Sequence, residues 1–181
     1  YVGGIEYDHF KYDMVMGGRR QVGSTIKPFL YALAMQNGMT PCTTAPNVQR
    51  SYGNWTPRNA SKARYGQQVP LRWGLQQSNN WISAYLISLL GPSQFVNILH
   101  DFGLNNPDIE KNTSPVLCLG PSELSVGEMC SAYTTFVNHG VRCAPIFVTR
   151  IEDSHGNVVA KFQPLMNEVI SEESSFKMLD M

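Results

Sequence analysis

The position of Pro28 constrains this chain more than any other single residue. A proline inside a helix removes a backbone hydrogen bond everywhere except in the first turn, so a helix that contains Pro28 must begin near Ser24. Apolar side chains then recur at the three- and four-residue spacing of one helical face. These positions are Ile26, Phe29, Leu30, Leu33 and Ala34. Asn37-Gly38 predicts the end of the helix.

Ser24 is therefore expected at a helix N-terminus, where free backbone N–H groups favour negative charge. Lys27 follows three residues later, so its side chain leaves the same helical face, with Cβ atoms about 5–6 Å apart. Serine is a poor nucleophile until a base removes its proton, and a neutral lysine can be that base. One helical turn thus offers a nucleophile, a candidate base and part of an oxyanion hole.

The Ser-x-x-Lys spacing is short enough to arise by chance, and it occurs again at Ser174 and Lys177. The second pair follows Ser171-Glu172-Glu173, which is typical of an N-cap and an acidic first turn. Ser174 is therefore expected inside a helix, on a solvated face. We predict that this second pair is not catalytic.

A second polar cluster, Ser78-Asn79-Asn80, lies between two helical patterns. Residues 71–77 predict a short helix, and an apolar stripe predicts the next one. This stripe comprises Ile82, Tyr85, Leu86, Leu89 and Leu90. The polar side chains can project from the turn between the helices. The alternative is that Ser78 or Asn79 only caps the second helix.

Taken together, these segments resemble the transpeptidase domain of bacterial penicillin-binding proteins, most closely the bifunctional class A type. Gly23 to Phe29 is similar to the family's nucleophile motif, and Trp55 to Asn59 and Val69 to Asn80 are similar to its second-motif region. Further similarities follow in order at Leu119-Gly120, Ser125 to Glu128, Ala132-Tyr133, Phe136 to Gly140 and Asp153 to Gly156. The resemblance covers nearly the whole chain.

The resemblance implies a role for each site residue. Ser24 would attack the penultimate carbonyl of a D-alanyl-D-alanine stem peptide and form an acyl-enzyme, and its N–H would supply half of the oxyanion hole. Lys27 would take the serine proton, for which it must be neutral; the alternative is a cation that only stabilises charge. Ser78 would relay a proton to the departing D-alanine, and Asn80 would hydrogen-bond the substrate peptide.

The resemblance also implies an α+β fold, that of serine β-lactamases and transpeptidases, with the site between a helical lobe and an antiparallel sheet. Residues 1–181 would be a mostly helical part of that domain, retaining the helical lobe and a β-hairpin but little of the sheet. The family's third motif, Lys-Thr/Ser-Gly, occurs nowhere in the 181 residues, and Tyr1 to Gly4 resembles the end of an early strand. We therefore expect an internal fragment that β-lactams do not acylate by itself.

By the same resemblance, the partners are peptidoglycan stem peptides and β-lactam antibiotics, with no cofactor and no metal. The site would face the periplasm, or the extracytoplasmic side of the inner membrane, where an anchor of the parent protein would hold it. Helix faces that the sheet normally covers would be exposed, and such apolar faces invite homodimers.

Charge and cysteine content add two observations. Residues 1–90 contain nine Lys/Arg and three Asp/Glu, a net charge of +6, and residues 91–181 carry −6. The basic half would suit a substrate that ends in a carboxylate, but ordinary solvated faces and caps are the favoured explanation. Cys130 falls on an apolar stripe with Val126, Met129, Tyr133 and Val137 and is expected to be buried. The sequence does not decide whether Cys130 and Cys143 form a disulfide. The other two cysteines are Cys42 and Cys118.

Other patterns predict the remaining elements. A helix is expected from Pro92 to Gly103, and a capping box at Ser125 to Glu128 begins another that runs to Asn138. Two strands, 145–151 and 157–162, flank a turn, and residues 39–68 form a long loop.

Four other functions are weighed against the transpeptidase. A Ser-His-Asp hydrolase is disfavoured, because the residues around Ser24 do not fit Gly-x-Ser-x-Gly. A serine β-lactamase or β-lactam sensor shares the Ser-x-x-Lys chemistry. A non-catalytic helical binding module would keep the motifs as inherited scaffold. Nucleic-acid binding has no support, since no basic stripe is interleaved with aromatic residues.

Overall fold

Helix α1 (Lys27–Gln36) lies at the centre of the fold. The structure is a computed structural model that describes residue 6 and residues 8–60, 62–111 and 113–181. The strand predicted at Tyr1 to Gly4 lies outside these described residues. All side chains from Phe29 to Met35 are buried, so α1 is surrounded on every side and not only along its predicted apolar stripe. The helix ends at Asn37, as predicted.

The other helices surround α1 or follow one another along the chain. They are α2 (Leu71–Gln76), α3 (Asn80–Leu90), α4 (Pro92–Asp101), α5 (Pro107–Lys111), α6 (Val126–Val137) and α7 (Glu172–Leu179). Helices α3, α4 and α7 contact α1 directly. The Phe29 ring packs against both Phe102 and Phe136, with ring centroids 4.8 and 5.6 Å away, and these two rings also contact each other at 5.2 Å. The predicted helices α2, α3, α4 and α6 are confirmed, each within two residues of its expected bounds. Helix α1 is confirmed as well, but it begins at Lys27 and not near Ser24, because Gly23–Ile26 forms a 3₁₀ turn before it.

The strands are short and pair as antiparallel two-stranded sheets. The pairs are β1 (Arg19–Gln21) with β4 (Glu123–Ser125), β2 (Thr44–Pro46) with β3 (Gln68–Pro70), β5 (Val141–Cys143) with β8 (Met166–Glu168), and β6 (Arg150–Glu152) with β7 (Val158–Lys161). In the first pair Arg20 lies opposite Leu124. The fold is thus a mixed helix and strand fold, as predicted.

The predicted hairpin is confirmed, but its strands are shorter than expected. They cover 150–152 and 158–161 instead of 145–151 and 157–162. Pro145 cannot donate to a strand ladder, and the register shifts between Ile151 and Glu152. Strands β2 and β3 at the ends of the predicted loop were missed, because three-residue strands carry too little periodicity to detect.

Helix α6 turns a different face to the core than its apolar stripe predicts. Its buried residues are Ala132, Thr135 and Phe136, whereas Val126 and Val137 are 53% and 67% exposed. Cys130 is exposed as well, so the prediction of a buried thiol there is wrong. The reason is that α6 packs against α7 and β5 and inserts Phe136 beside Phe29. Self-association through the outward apolar face stays a prediction.

The cysteines are all free thiols, and Cys118 is the buried one. The Cys130–Cys143 disulfide that the sequence left open is therefore not formed in the structure.

Helix α7 also differs from expectation at the second Ser-x-x-Lys pair. Ser171 caps the helix as predicted, but Ser174 is 3% exposed and not solvated. Its hydroxyl donates to Gln36 Oε1 at 2.7 Å, at the end of α1. The outward face carries Lys177, which pairs with Glu173 at 2.6 Å.

No single helix in the described ranges has the length and apolar composition needed to cross a membrane; α3 and α4 meet that criterion only when counted together, and a bend of 96° separates them.

Candidate active site

Ser24 lies on a 3₁₀ turn, Gly23–Ile26, that leads directly into α1. The side chain is exposed to solvent, and Lys27 N–H closes the turn on the Ser24 carbonyl. Within the described residues, no group accepts a hydrogen bond from Ser24 N–H. The residue therefore has the accessibility that a nucleophile needs and an N–H group that can donate to a ligand.

Long-range hydrogen bonds hold this turn in place. Val22 N–H donates to Ser122 O at 3.1 Å and Gly23 N–H donates to Gly120 O at 3.0 Å. On the other side, Tyr133 Oη donates to Thr25 O at 2.7 Å. The turn is thus anchored on the strand–helix segment that contains β4 and α6, and not only by its own helix.

Gly23 and Gly120 approach each other too closely for any side chain at position 120. A Cβ there would lie 2.2 Å from Gly23 O and 2.7 Å from Gly23 N. Both residues have positive φ, +55° and +64°, a region that glycine occupies without steric cost. Gly120 is therefore required for the position of the turn that carries Ser24.

Lys27 is the most deeply buried charged side chain of the site, at 1% exposure. Its Nζ donates three hydrogen bonds: to Asn80 Oδ1 at 2.6 Å, to Ser78 O at 2.7 Å and to Ser78 Oγ at 2.9 Å. The three protons of an ammonium group are thereby all used. The amine points at the second polar cluster and away from bulk solvent.

Burial lowers the pKa of Lys27 to about 8, and only ionisation of the neighbouring Cys118 would raise it. Desolvation disfavours the charged form of an amine, which is why the direction is downward. Cys118 is itself buried, and burial raises its pKa to about 12. The thiol is therefore neutral through the range in which Lys27 titrates.

Ser78 has a left-handed backbone conformation, with φ of +48°. Such a conformation costs a non-glycine residue on the order of 1–3 kcal/mol. It places Ser78 in the turn between α2 and α3, where its N–H donates to Leu75 O at 2.8 Å. The result is that both the carbonyl and the hydroxyl of Ser78 reach Lys27 Nζ.

Asn79 caps α3, so the capping alternative proposed for it from sequence is confirmed. Its Oδ1 accepts from Trp81 N and Ile82 N at 2.9 and 3.1 Å. Asn80 is the first residue of α3. Its carboxamide faces Lys27 through Oδ1 and donates to Arg58 O through Nδ2 at 2.7 Å. Capping and site formation are therefore divided between two adjacent residues.

A cleft of about 260 Å³ connects these groups. Its walls include Ser24, Ser78 and Asn80, together with Asn59, Trp73 and Gln77. All four residues predicted from the sequence thus lie at one place, three in the cleft wall and Lys27 hydrogen-bonded behind it. Within the described residues the Ser24 hydroxyl and the Lys27 amine are not hydrogen-bonded to each other. Ser78 lies between their environments, since it shares the cleft wall with Ser24 and its hydroxyl accepts from Lys27 Nζ.

The sequence did not identify every residue that shapes the site. Gly120, Tyr133 and Asn59 belong to segments that were noted only for their resemblance to the family. Cys118 lies beneath the site, although its sequence context carries no metal or redox spacing. Within the described ranges, no group of three or more His, Cys, Asp or Glu side chains is placed to hold a metal ion.

The sequence profile described as "Penicillin binding protein transpeptidase domain" matches residues 8–181 of this chain. Penicillin-binding protein 1A of Pseudomonas aeruginosa is 28% identical over 169 residues, which cover 90% of this chain and 20% of that protein. The Aquifex aeolicus penicillin-binding protein 1A is 30% identical over 186 residues, which cover 99% and 25%. The chain therefore spans a quarter or less of the length of these relatives.

Solved structures give the same fold. The crystal structure of penicillin-binding protein 1A from Haemophilus influenzae superposes with a TM-score of 0.83 at 27% identity, over 98% of this chain and 31% of that one. Penicillin binding protein 3 from Mycobacterium tuberculosis, complexed with aztreonam, has a TM-score of 0.77 at 18% identity, over 91% and 41%. The second likeness concerns the fold alone.

Proposed function

Since this chain belongs to the penicillin-binding protein transpeptidase family, we propose that residues 1–181 are part of one transpeptidase domain that cross-links peptidoglycan through an acyl-serine intermediate. The observation that supports this proposal best is the setting of Lys27. Its buried amine, with a pKa lowered to about 8 by desolvation, is hydrogen-bonded to Ser78 and Asn80 beside the cleft that exposes Ser24.

In the proposed acylation, Ser24 Oγ attacks the carbonyl of the penultimate D-alanine. The proton of the hydroxyl passes to neutral Lys27, either directly or through Ser78 Oγ, which lies 2.9 Å from Nζ. Ser24 N–H donates to the oxyanion that develops on the carbonyl oxygen. The C–N bond to the terminal D-alanine then breaks, and Ser78 delivers a proton to the leaving amine.

Deacylation follows by the same route in reverse. The amine of a second stem peptide attacks the acyl-serine ester, loses a proton to the Lys27–Ser78 pair, and releases Ser24 as the hydroxyl. The products are one cross-link peptide bond and the regenerated enzyme. Asn80 would hold the substrate peptide and also keep Lys27 in place, since its Oδ1 lies 2.6 Å from Nζ.

The protonation state of Lys27 decides whether it can act as the base. At pH 7, about a tenth of an amine with a pKa near 8 is neutral. That fraction is sufficient for general-base catalysis, in which the best pKa lies near the working pH.

The proposed substrates are peptidoglycan stem peptides, and they imply a site on the periplasmic or extracytoplasmic side of the inner membrane. β-Lactams would acylate Ser24 as substrate analogues.

The test is intact-protein mass spectrometry of the full-length gene product after incubation with benzylpenicillin. One adduct is expected, on the peptide that contains Ser24, and Ser24→Ala should abolish it. The matched control is Ser174→Ala, which removes the serine of the second Ser-x-x-Lys pair.

Retention of the adduct in Ser24→Ala, or its loss in Ser174→Ala with the protein still folded, would contradict the assignment of the nucleophile. Rapid turnover of nitrocefin by the wild-type protein would instead favour a β-lactamase. Unchanged cell-wall cross-linking in a Ser24→Ala strain would favour the non-catalytic binding module.

A further inference from the structure

The loop segment Pro57 to Asn59 holds the start of α3. Asn59 Oδ1 accepts from Asn80 N–H at 2.7 Å, and Arg58 O accepts from Asn80 Nδ2 at 2.7 Å. Pro57 O accepts from Trp81 Nε1 at 3.2 Å. Three consecutive loop residues therefore bind the first two residues of the helix that carries Asn80.

Asn59 completes the cap of this helix. The first N–H groups of a helix have no partner within it. Asn79 Oδ1 accepts from two of them, the N–H groups of Trp81 and Ile82, and the N–H of Asn79 itself donates to Gly74 O at 2.9 Å. The N–H of Asn80 remains, and Asn59 Oδ1 accepts it.

The carboxamide of Asn59 belongs to a chain of amides that fixes its orientation. Its Nδ2 donates to Asn79 Oδ1 at 3.0 Å, Asn79 Nδ2 donates to Asn47 Oδ1 at 2.9 Å, and Asn47 Nδ2 donates to Ala63 O at 2.8 Å. Asn47 and Asn79 are buried. Each carboxamide uses both its NH₂ donor and its oxygen acceptor. A 180° rotation of any one of them would therefore place donor against donor and acceptor against acceptor.

Asn59 links this series of amides to Asn80, whose side-chain oxygen is an acceptor for Lys27 Nζ. With Nδ2 of Asn80 held by Arg58 O and its backbone held by Asn59, the carboxamide oxygen is left facing Lys27 Nζ at 2.6 Å. We propose that Asn59 is a positioning residue of the site, which sets the place of Asn80 and through it the hydrogen bonding of Lys27. The consequence for acylation rests on the proposed function, but the placement itself does not.

The first test is an NMR titration of Lys27 in the full-length protein labelled with ¹³Cε-lysine, with the resonance assigned by Lys27→Arg. Asn59→Ala releases Asn80, so the ammonium form of Lys27 loses a hydrogen bond and its titration midpoint should move down. Asn59→Asp keeps the acceptor for Asn80 N–H but adds a negative charge, so the midpoint should move up. Cys118 is the titratable group that acts on Lys27, and burial of its thiol raises its pKa, so it stays neutral while Lys27 titrates.

The matched control is Asn37→Ala, which removes one amide hydrogen bond, to Leu33 O at 2.8 Å, at the opposite end of α1. It should lower the melting temperature without moving the Lys27 midpoint. If Asn59→Ala behaves in the same way, Asn59 has a structural role only and the proposal is wrong.

The second test measures acylation of the full-length protein by a fluorescent penicillin. A misplacement of the order of 1 Å can cost about a hundredfold in rate, so we expect Asn59→Ala to be slower by about ten- to a hundredfold at every pH. Asn59→Asp also loses the donor to Asn79 Oδ1, so it should stay below the wild-type rate, but its deficit should shrink at high pH, where Lys27 is neutral. Equal pH profiles for the two variants would contradict positioning. If even the wild-type protein is not acylated, the proposed function fails while the NMR titration still decides the role of Asn59.

Discussion

Lys27 Nζ lies 2.9 Å from Ser78 Oγ, although 51 residues separate the two in the chain. The contact joins the first turn of α1 to the turn between α2 and α3. It depends on the left-handed conformation of Ser78 and on the burial of Lys27.

The pH dependence of acylation should show whether Lys27 acts as a neutral general base or as a cation that stabilises negative charge. Burial lowers the pKa of Lys27 to about 8. If the neutral amine is the base, the acylation rate should rise about tenfold per pH unit below 8 and level off above it. A lysine that only supplies positive charge would give a rate that falls above pH 8. Stopped-flow acylation of the full-length protein from pH 6 to 9.5 distinguishes these outcomes.

The same shift predicts a pH dependence of stability. The pKa of Lys27 is lowered from 10.5 in the unfolded chain to about 8 in the folded one, so between these values the unfolded state binds more protons. The free energy of unfolding should therefore rise with pH across that window. Urea unfolding at pH 8 and pH 10 should show a rise in the wild type that is smaller in Lys27→Met. An equal rise in both proteins would mean that the lysine is not desolvated.

Replacement of Ser78 should separate stability from activity. Ser78→Gly removes the hydroxyl but tolerates φ of +48°, so it should be more stable than Ser78→Ala by about 1 kcal/mol. Both variants lose the proton relay and should acylate more slowly. Thermal unfolding and acylation rates are the measurements. Equal stability of the two variants would show that the turn is not strained.

Gly120→Ala should impair the site through the neighbouring backbone. The new Cβ would lie 2.2 Å from Gly23 O, so the turn that carries Ser24 must move. Gly38→Ala is the matched control, because Gly38 also has positive φ, +84°, but open space around its Cβ position. Each variant should lose about 1 kcal/mol from backbone strain. Only Gly120→Ala should slow acylation when both are assayed well below their melting temperatures; equal rates would contradict this.

Thiol labelling should report the burial of the cysteines. Cys42 and Cys130 are exposed and Cys118 is buried, so iodoacetamide should modify the first two in the native chain and leave Cys118 protected. The denatured chain, in which all four thiols should react, is the control. Protection of Cys130 in the native chain would contradict its exposed position in the structure and support the buried position expected from the sequence.

The isolated 181-residue chain should not be acylated by benzylpenicillin. It contains no Lys-Thr/Ser-Gly triplet, the motif that, by resemblance to the family, lines the site and supplies the second oxyanion donor. The full-length gene product provides the positive control in the same mass-spectrometric assay. A stoichiometric adduct on Ser24 of the isolated chain would contradict this prediction.

Local patterns in the sequence predicted what depends on neighbours along the chain. Pro28 placed the first turn of α1 to within three residues, at Ser24 instead of Lys27. Ser125 with Glu128 located the start of α6 through a capping box that the structure contains. The Ser-x-x-Lys spacing selected Ser24 and Lys27 because helical periodicity alone brings them to one face. Such features depend on backbone geometry over three or four residues, which the sequence encodes directly.

Tertiary structure decided what depends on packing between distant segments. Apolar periodicity misassigned the buried face of α6, because the position of Phe136 beside Phe29 depends on where α1 and α7 lie. The contact of Lys27 with Ser78, the fit of Gly120 against Gly23 and the hydrogen bond from Asn80 N–H to Asn59 join residues 21 to 97 positions apart. No local propensity specifies such contacts, since they exist only after the loops have closed and the helices have packed.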